Sequence, residues 1–219
     1  ACYDSVFPNV AKKLGFVNNA WIGTKTKLKE YLLFQSEGEF KWQKVQGQVY
    51  GKFMHEAELF PGIANFLHRC KRLNVKLFIV SHKTEFGHYD QENISLRQAA
   101  LEWMDINNFF EEKSFDISSE SIFFSDTREE KVKKILNLNL DAFVDDLIDV
   151  YKEPSFPSDV KKILFSRNLK IINSENIDYC YSNWSQISDR LFGSPNTEDY
   201  LYWAQAISKN KITNISEID

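Results

Sequence analysis

Three short apolar runs, each closed by a polar residue at its carboxyl end, constrain this chain most. Residues 75–80 (VKLFIV) end in Ser81, residues 122–124 (IFF) in Ser125-Asp126, and residues 142–144 (AFV) in Asp145-Asp146. Nearly continuous apolar runs of this length suit parallel strands covered on both faces. The intervening stretches read as helices. Leu96, Ala99, Ala100, Trp103 and Met104 predict one over about 93–107, and Val132, Ile135 and Leu136 predict another. The second opens at Thr127, where Glu130 completes a capping-box signature. Ahead of the first run, Pro61 is expected at a first helical position, with Ile63, Phe66, Leu67, Cys70 and Leu73 on one face. Further strands are expected at 163–165, at 170–172, or at both. Alternating strands and helices predict an α/β sheet of parallel strands joined by right-handed crossovers.

The first 60 residues are different. Val6, Val10 and Leu14, then Leu28, Leu32 and Leu33, recur at helical spacing among Lys and Glu, which predicts a small helical region over 4–60. Its aromatic residues Phe16, Trp21, Tyr31, Phe34, Phe40 and Trp42 are expected to pack a small core rather than hold a ligand. The α/β region then covers 61–195, and 196–219 holds a terminal helix or a linker, centred on Tyr200, Leu201 and Trp203.

Composition excludes several classes. With 27 basic and 31 acidic side chains and a net charge of -4, nothing drives the chain toward nucleic acid or anionic lipid. Only 8 Gly and 5 Pro in 219 residues argue against a disordered or fibrous chain. The 3 cysteines are widely spaced without a CxxC pattern, which fits a reducing, cytoplasmic compartment better than a disulfide framework or a zinc site. No apolar run approaches the roughly 20 residues needed to cross a bilayer. The expectation is a cytoplasmic protein with neither nucleic acid nor membrane as partner.

In parallel α/β sheets, ligands gather at the carboxyl ends of the strands, where Ser81, Asp126, Asp145 and Asp146 fall. Two adjacent carboxylates there repel unless a cation bridges them, and hard oxygen donors suit Mg²⁺, which takes one or two protein carboxylates and completes its shell with water and phosphate. A bland reading stands beside each. Asp145-Asp146, with Asp149 near, also suits a helix N-terminus, Ser81 suits a turn, and Lys131, among Lys133 and Lys134, suits a solvated helix face. His55, His82, His88, Tyr89 and Asp90 are either pocket residues or loop residues.

Order and spacing add a resemblance. Leu-Phe-Pro-Gly62 entering a helix, Leu-Phe-Ile-Val-Ser81, then Lys131-x-x-x-Ile135, then Ala-Phe-Val-Asp145-Asp146 resembles the haloacid dehalogenase (HAD) superfamily over roughly residues 55–170. The resemblance implies a three-layer, Rossmann-like core with a parallel sheet, and a small helical cap inserted before the second strand. It implies that Ser81 donates a hydrogen bond to a transferring phosphoryl group, that Lys131 neutralises charge on it, and that Asp145 and Asp146 hold Mg²⁺ directly or through water. The expected activity is a Mg²⁺-dependent phosphatase acting on a small phosphorylated metabolite, for instance a sugar phosphate, through an aspartyl-phosphate. One departure stands out: the family's first motif, Asp-x-Asp-x-Thr after an apolar strand, is absent from the 219 residues. Its strand belongs in mid-sheet, between those ending at Ser81 and Asp145. The expectation is that this motif precedes Ala1, in what is then part of a larger polypeptide, or that the protein is split or degenerate. Without the motif, the alternative is a non-catalytic HAD-like module that binds a phosphorylated ligand or a partner protein.

Overall fold

The computed structural model describes residues 1–167 and 176–208. In chain order its elements are α1 (Val6–Lys13), α2 (Lys25–Leu33), α3 (Gly38–Tyr50), α4 (Ile63–Arg72), β1 (Ile79–His82), α5 (Leu96–Ile106), β2 (Ile122–Ser125), α6 (Arg128–Asn137), β3 (Ala142–Asp145), α7 (Ile148–Tyr151), β4 (Lys161–Phe165), β5 (Tyr179–Tyr181), α8 (Trp184–Phe192) and α9 (Thr197–Ser208). They divide into two compact units, one made of 1–59 and 83–108, the other of 60–82 and 109 onward.

The first unit is helical. Val6, Phe7 and Val10 from α1, Leu28 and Leu32 from α2, and Val45 and Val49 from α3 are fully buried. Each such side chain contributes about 1.5–3 kcal/mol by leaving water. Thr24 starts α2 by accepting a hydrogen bond from the Lys27 amide. Residues 83–108, which the sequence pattern assigned to the α/β region, belong to this unit instead. The cause is non-local: α5 buries Leu96, Ala100, Trp103 and Met104, and the Trp103 indole N–H donates to the Ala57 carbonyl at 2.7 Å. Gly87 approaches α3 so closely that a Cβ there would stand 2.7 Å from the Gly47 Cα. The aromatic core also differs from expectation. Trp42 is buried, but Phe34 is 95% exposed and Tyr31 47%, because Leu28 and Leu32 form the inward stripe of the short α2. Tyr3, Phe7 and Tyr50 join Trp42 in their place, with Phe7 stacked on Trp42 at 5.3 Å between ring centroids.

The second unit is α/β with small parallel sheets. β1 pairs with β2, Ile79 opposite Ile122 and Ser81 opposite Phe124. β3, β4 and β5 form a parallel sheet in that order, with Asp145 opposite Leu164. The apolar run 75–80 becomes strand only from Ile79, since β2 begins at its partner Ile122 and residues 75–78 have no ladder partner among the described residues. β5, a three-residue Tyr-Cys-Tyr segment, was not foreseen. Residues 170–172 lie outside the described residues. Val80, Val132, Ile135, Phe143, Val150 and Leu164 make one buried cluster, which joins α6 to both sheets. The Tyr151 hydroxyl donates between the Ile163 and Phe143 carbonyls, at 2.7 and 3.2 Å, tying α7 to β3 and β4.

Pro61 precedes α4 rather than entering it, because Gly62 takes the left-handed N-cap position at φ 81°. α4 then anchors the chain's later helices. Arg69 donates to Ser188 Oγ and the Gly193 carbonyl at 2.8 Å each, and Arg72 Nε reaches Asp199 at 2.8 Å. The terminal helix expected within 196–219 is α9, and residues after Ser208 lie outside the described residues.

Candidate functional site

Local chemistry at Thr127 sets the phase of α6. Its hydroxyl accepts from the Glu130 amide at 3.1 Å, while the Glu130 carboxylate accepts from the Asp126 and Thr127 amides at 2.9 and 3.3 Å. A helix started there turns Lys131 inward and Lys133 outward, since residues two apart lie about 200° apart around the axis. Lys131 is 6% exposed. Its ammonium donates to Asp145 Oδ2 and lies 5.5 Å from the centroid of the Phe143 ring. Lys133 instead pairs with Glu129 in solvent, and Lys134 lies over Phe123 at 4.3 Å.

Asp145 ends β3 and is 9% exposed. Its second carboxylate oxygen, Oδ1, accepts from the Leu147 amide at 2.9 Å. Burial pushes this carboxyl upward from its ordinary value, against the pull of the Lys131 ammonium and the Leu147 amide. Asp146 is exposed and without a side-chain partner among the described residues. Asp149 turns away to Lys152 at 3.1 Å. Ser81 is half-buried near the carboxyl end of β1, and its hydroxyl makes no hydrogen bond among the described residues. Next to it, His82 Nε2 lies 2.9 Å from the Asp126 carbonyl.

Lys131 and Asp145 are thus in direct contact, Asp146 adjoins them in the chain, and Ser81 sits near the end of a parallel strand packed against the same helix. Among the described residues no group of three or more His, Cys, Asp or Glu side chains is placed to hold a metal. A cation at Asp145 and Asp146 would therefore draw most of its shell from water and substrate oxygens. Both Asp145 oxygens are engaged, Oδ2 by the Lys131 ammonium and Oδ1 by the Leu147 amide, so the exposed Asp146 carboxylate is the one open to a cation.

The other sequence candidates have local roles. The Asp90 carboxylate accepts from the Glu92 and Ile94 amides at 3.0 and 2.8 Å, which makes it a turn residue. Tyr89 sits at φ 59° with its ring against Phe40 at 4.8 Å. His55 helps line a cleft of about 230 Å³ in the helical unit with Met54, Ile94 and Trp103, below the size of an ordinary ligand pocket. What the sequence pattern did not single out is Lys83, whose amine lies over the Tyr50 ring in the helical unit. No protein-family model matches this chain, nor does any curated protein or solved structure. Among the described residues no helix is long and apolar enough to cross a membrane.

Proposed function

We propose that the α/β unit carries the phosphate end of a Mg²⁺-dependent HAD-type phosphatase site, acting on a small phosphorylated metabolite. The observation that carries this reading is the buried Lys131–Asp145 pair at the carboxyl end of β3, with the exposed Asp146 beside it. Phosphoryl transfer is chiefly positioning and charge stabilisation, so a lysine held by burial and a carboxylate offers a preorganised positive charge. In this reading Lys131 meets the transferring group, the Ser81 hydroxyl donates to one of its oxygens, and Asp145 and Asp146 hold the metal, directly or through water. Mg²⁺ would supply charge neutralisation at the phosphate oxygens.

The strand arrangement supports the rest. Among the described residues β1 pairs only with β2, and β3 pairs on one side only, with β4. Each therefore keeps a free ladder edge, and buried backbone groups left unpaired cost about 1–3 kcal/mol apiece. In this reading a parallel strand bearing the nucleophilic carboxylate would pair with both free edges, complete a three-layer core and supply the aspartyl-phosphate. The residues described form the receiving half of that site.

The test is hydrolysis of a panel of phosphate monoesters with Mg²⁺, comparing the 219 residues with the same chain extended ahead of Ala1 by an apolar strand bearing Asp-x-Asp-x-Thr. Turnover is expected only in the longer chain. In it Lys131→Ala should lower turnover by roughly 10² or more, because one transition-state charge partner is commonly worth about 3 kcal/mol. Lys133→Ala should be nearly silent. Equal activities in the two variants would return Lys131 to a structural role.

A further inference from the structure

Three lysines of the helical unit lie against aromatic rings and make no salt bridge among the described residues. Lys25, at the start of α2, donates to the Tyr50 hydroxyl at 2.9 Å and lies 4.7 Å from the Phe7 centroid. Lys83 lies on the same Tyr50 ring, 4.9 Å from its centroid. One turn beyond Lys25, Lys29 stands 5.8 Å from the Trp42 centroid. None of the three meets a carboxylate among the described residues, although Lys13 and Lys52 of the same unit pair with Glu56 and Glu92 at 2.8 and 2.7 Å. The first turn of α2 contains no acidic residue either, so the positive end of the helix dipole adds to Lys25.

Aromatic faces attract these ammonium groups but do not cancel their mutual repulsion. Burial in addition lowers the Lys83 amine to about 8. Placing two cations on one half-buried ring disfavours the free protein unless something negative joins them. The donors present define its chemistry. Tyr50 Oη accepts from Lys25, which leaves its own proton free to donate, and the Lys83 ammonium lies over the same ring.

We infer that Lys25, Lys83 and Tyr50 form an oxyanion site in the helical unit, one that takes the phosphate of a small phosphorylated compound. The site lies wholly within residues 1–59 and 83–108, and it does not depend on the chemistry proposed for the α/β unit. A dianionic phosphate matches two ammonium groups in charge, whereas a carboxylate leaves one of them unpaired.

Limited acetylation of lysines near pH 8, located by mass spectrometry, tests this on the full chain with inorganic phosphate as probe. At phosphate about tenfold above its Kd, labelling of Lys83 and Lys25 should fall roughly tenfold, while Lys27 and Lys44 are unaffected. Acetate should protect far less. The same protection is expected in Ser81→Ala, which weakens the phosphate end proposed for the α/β unit. Lys83→Arg should keep phosphate protection of Lys25, and Lys83→Gln should remove it with the fold intact by circular dichroism. No protection, equal protection of all lysines, protection matched by acetate, loss of protection in Ser81→Ala, or unchanged protection in Lys83→Gln would each overturn the site. Absence of turnover in the phosphatase assay alongside intact protection would sink only the proposal for the α/β unit.

Discussion

Lys131 and Lys83 are both lysines withdrawn from water, yet the two units treat them in opposite ways. In the α/β unit Lys131 is buried against a carboxylate that lies 14 residues away and is itself held by a backbone amide. In the helical unit Lys83 lies over a tyrosine ring and meets no carboxylate among the described residues. The first is an ion pair in which burial still outweighs the pull of the partner charge on Asp145, and the second is a cation with no carboxylate partner among the described residues. The contrast separates charge used to position a site from charge left open to a ligand.

The most severe way to break the α/β half of that comparison is to remove both of its adjacent carboxylates. Asp145→Asn with Asp146→Asn should abolish Mg²⁺ binding measured by calorimetry, and unchanged affinity would sink the metal assignment. Next comes the ion pair itself. Lys131→Met strands the Asp145 charge and should destabilise the chain by about 3–5 kcal/mol in urea denaturation, whereas adding Asp145→Leu should restore most of that loss.

On the helical side the sign reverses. The folded Lys83 amine titrates at about 8 against an ordinary value of 10.5, so between those values the unfolded chain binds more protons. Stability must then rise with pH across that window, and the penalty is fully present below about 8. Lys83→Met should accordingly stabilise the protein at neutral pH by about 1–2 kcal/mol, with the gain shrinking as pH approaches 10.5. Thermal melts at several pH values read this directly, and a destabilised Lys83→Met at neutral pH would show that the lysine has a partner after all.

Smaller effects test how Lys131 acquires its direction. Thr127→Ala removes the cap of α6 and should cost about 1 kcal/mol. Lys133→Ala, which loses only an exposed pair with Glu129, should change stability by less than about 0.5 kcal/mol.

Legibility followed the range of the interaction. The capping box of α6 spans Thr127 to Glu130, and it was readable because its two hydrogen bonds connect residues three apart. The inward turn of Lys131 follows from the same start and 3.6 residues per turn. β2 and β3 were visible as apolar runs because a strand covered on both faces leaves a continuous apolar signature. β5 was not, since a half-buried Tyr-Cys-Tyr segment resembles many loops. The first apolar run starts four residues ahead of β1, Val75 against Ile79, because a ladder depends on where its partner begins.

By itself, then, the sequence determined the elements whose causes are local: the cap of α6, the phase of its lysines, the short strands and the acidic pair at the end of β3. The tertiary structure alone decided that residues 83–108 join the helical unit, through the meeting of Gly47 with Gly87 and of Trp103 with Ala57. It alone left Phe34 in solvent and drew Tyr50 beneath two lysines that stand 58 residues apart. Periodicity reports which face of an element is apolar, but not which distant element covers that face, and the charge balance of a site depends on the neighbours that arrive through packing.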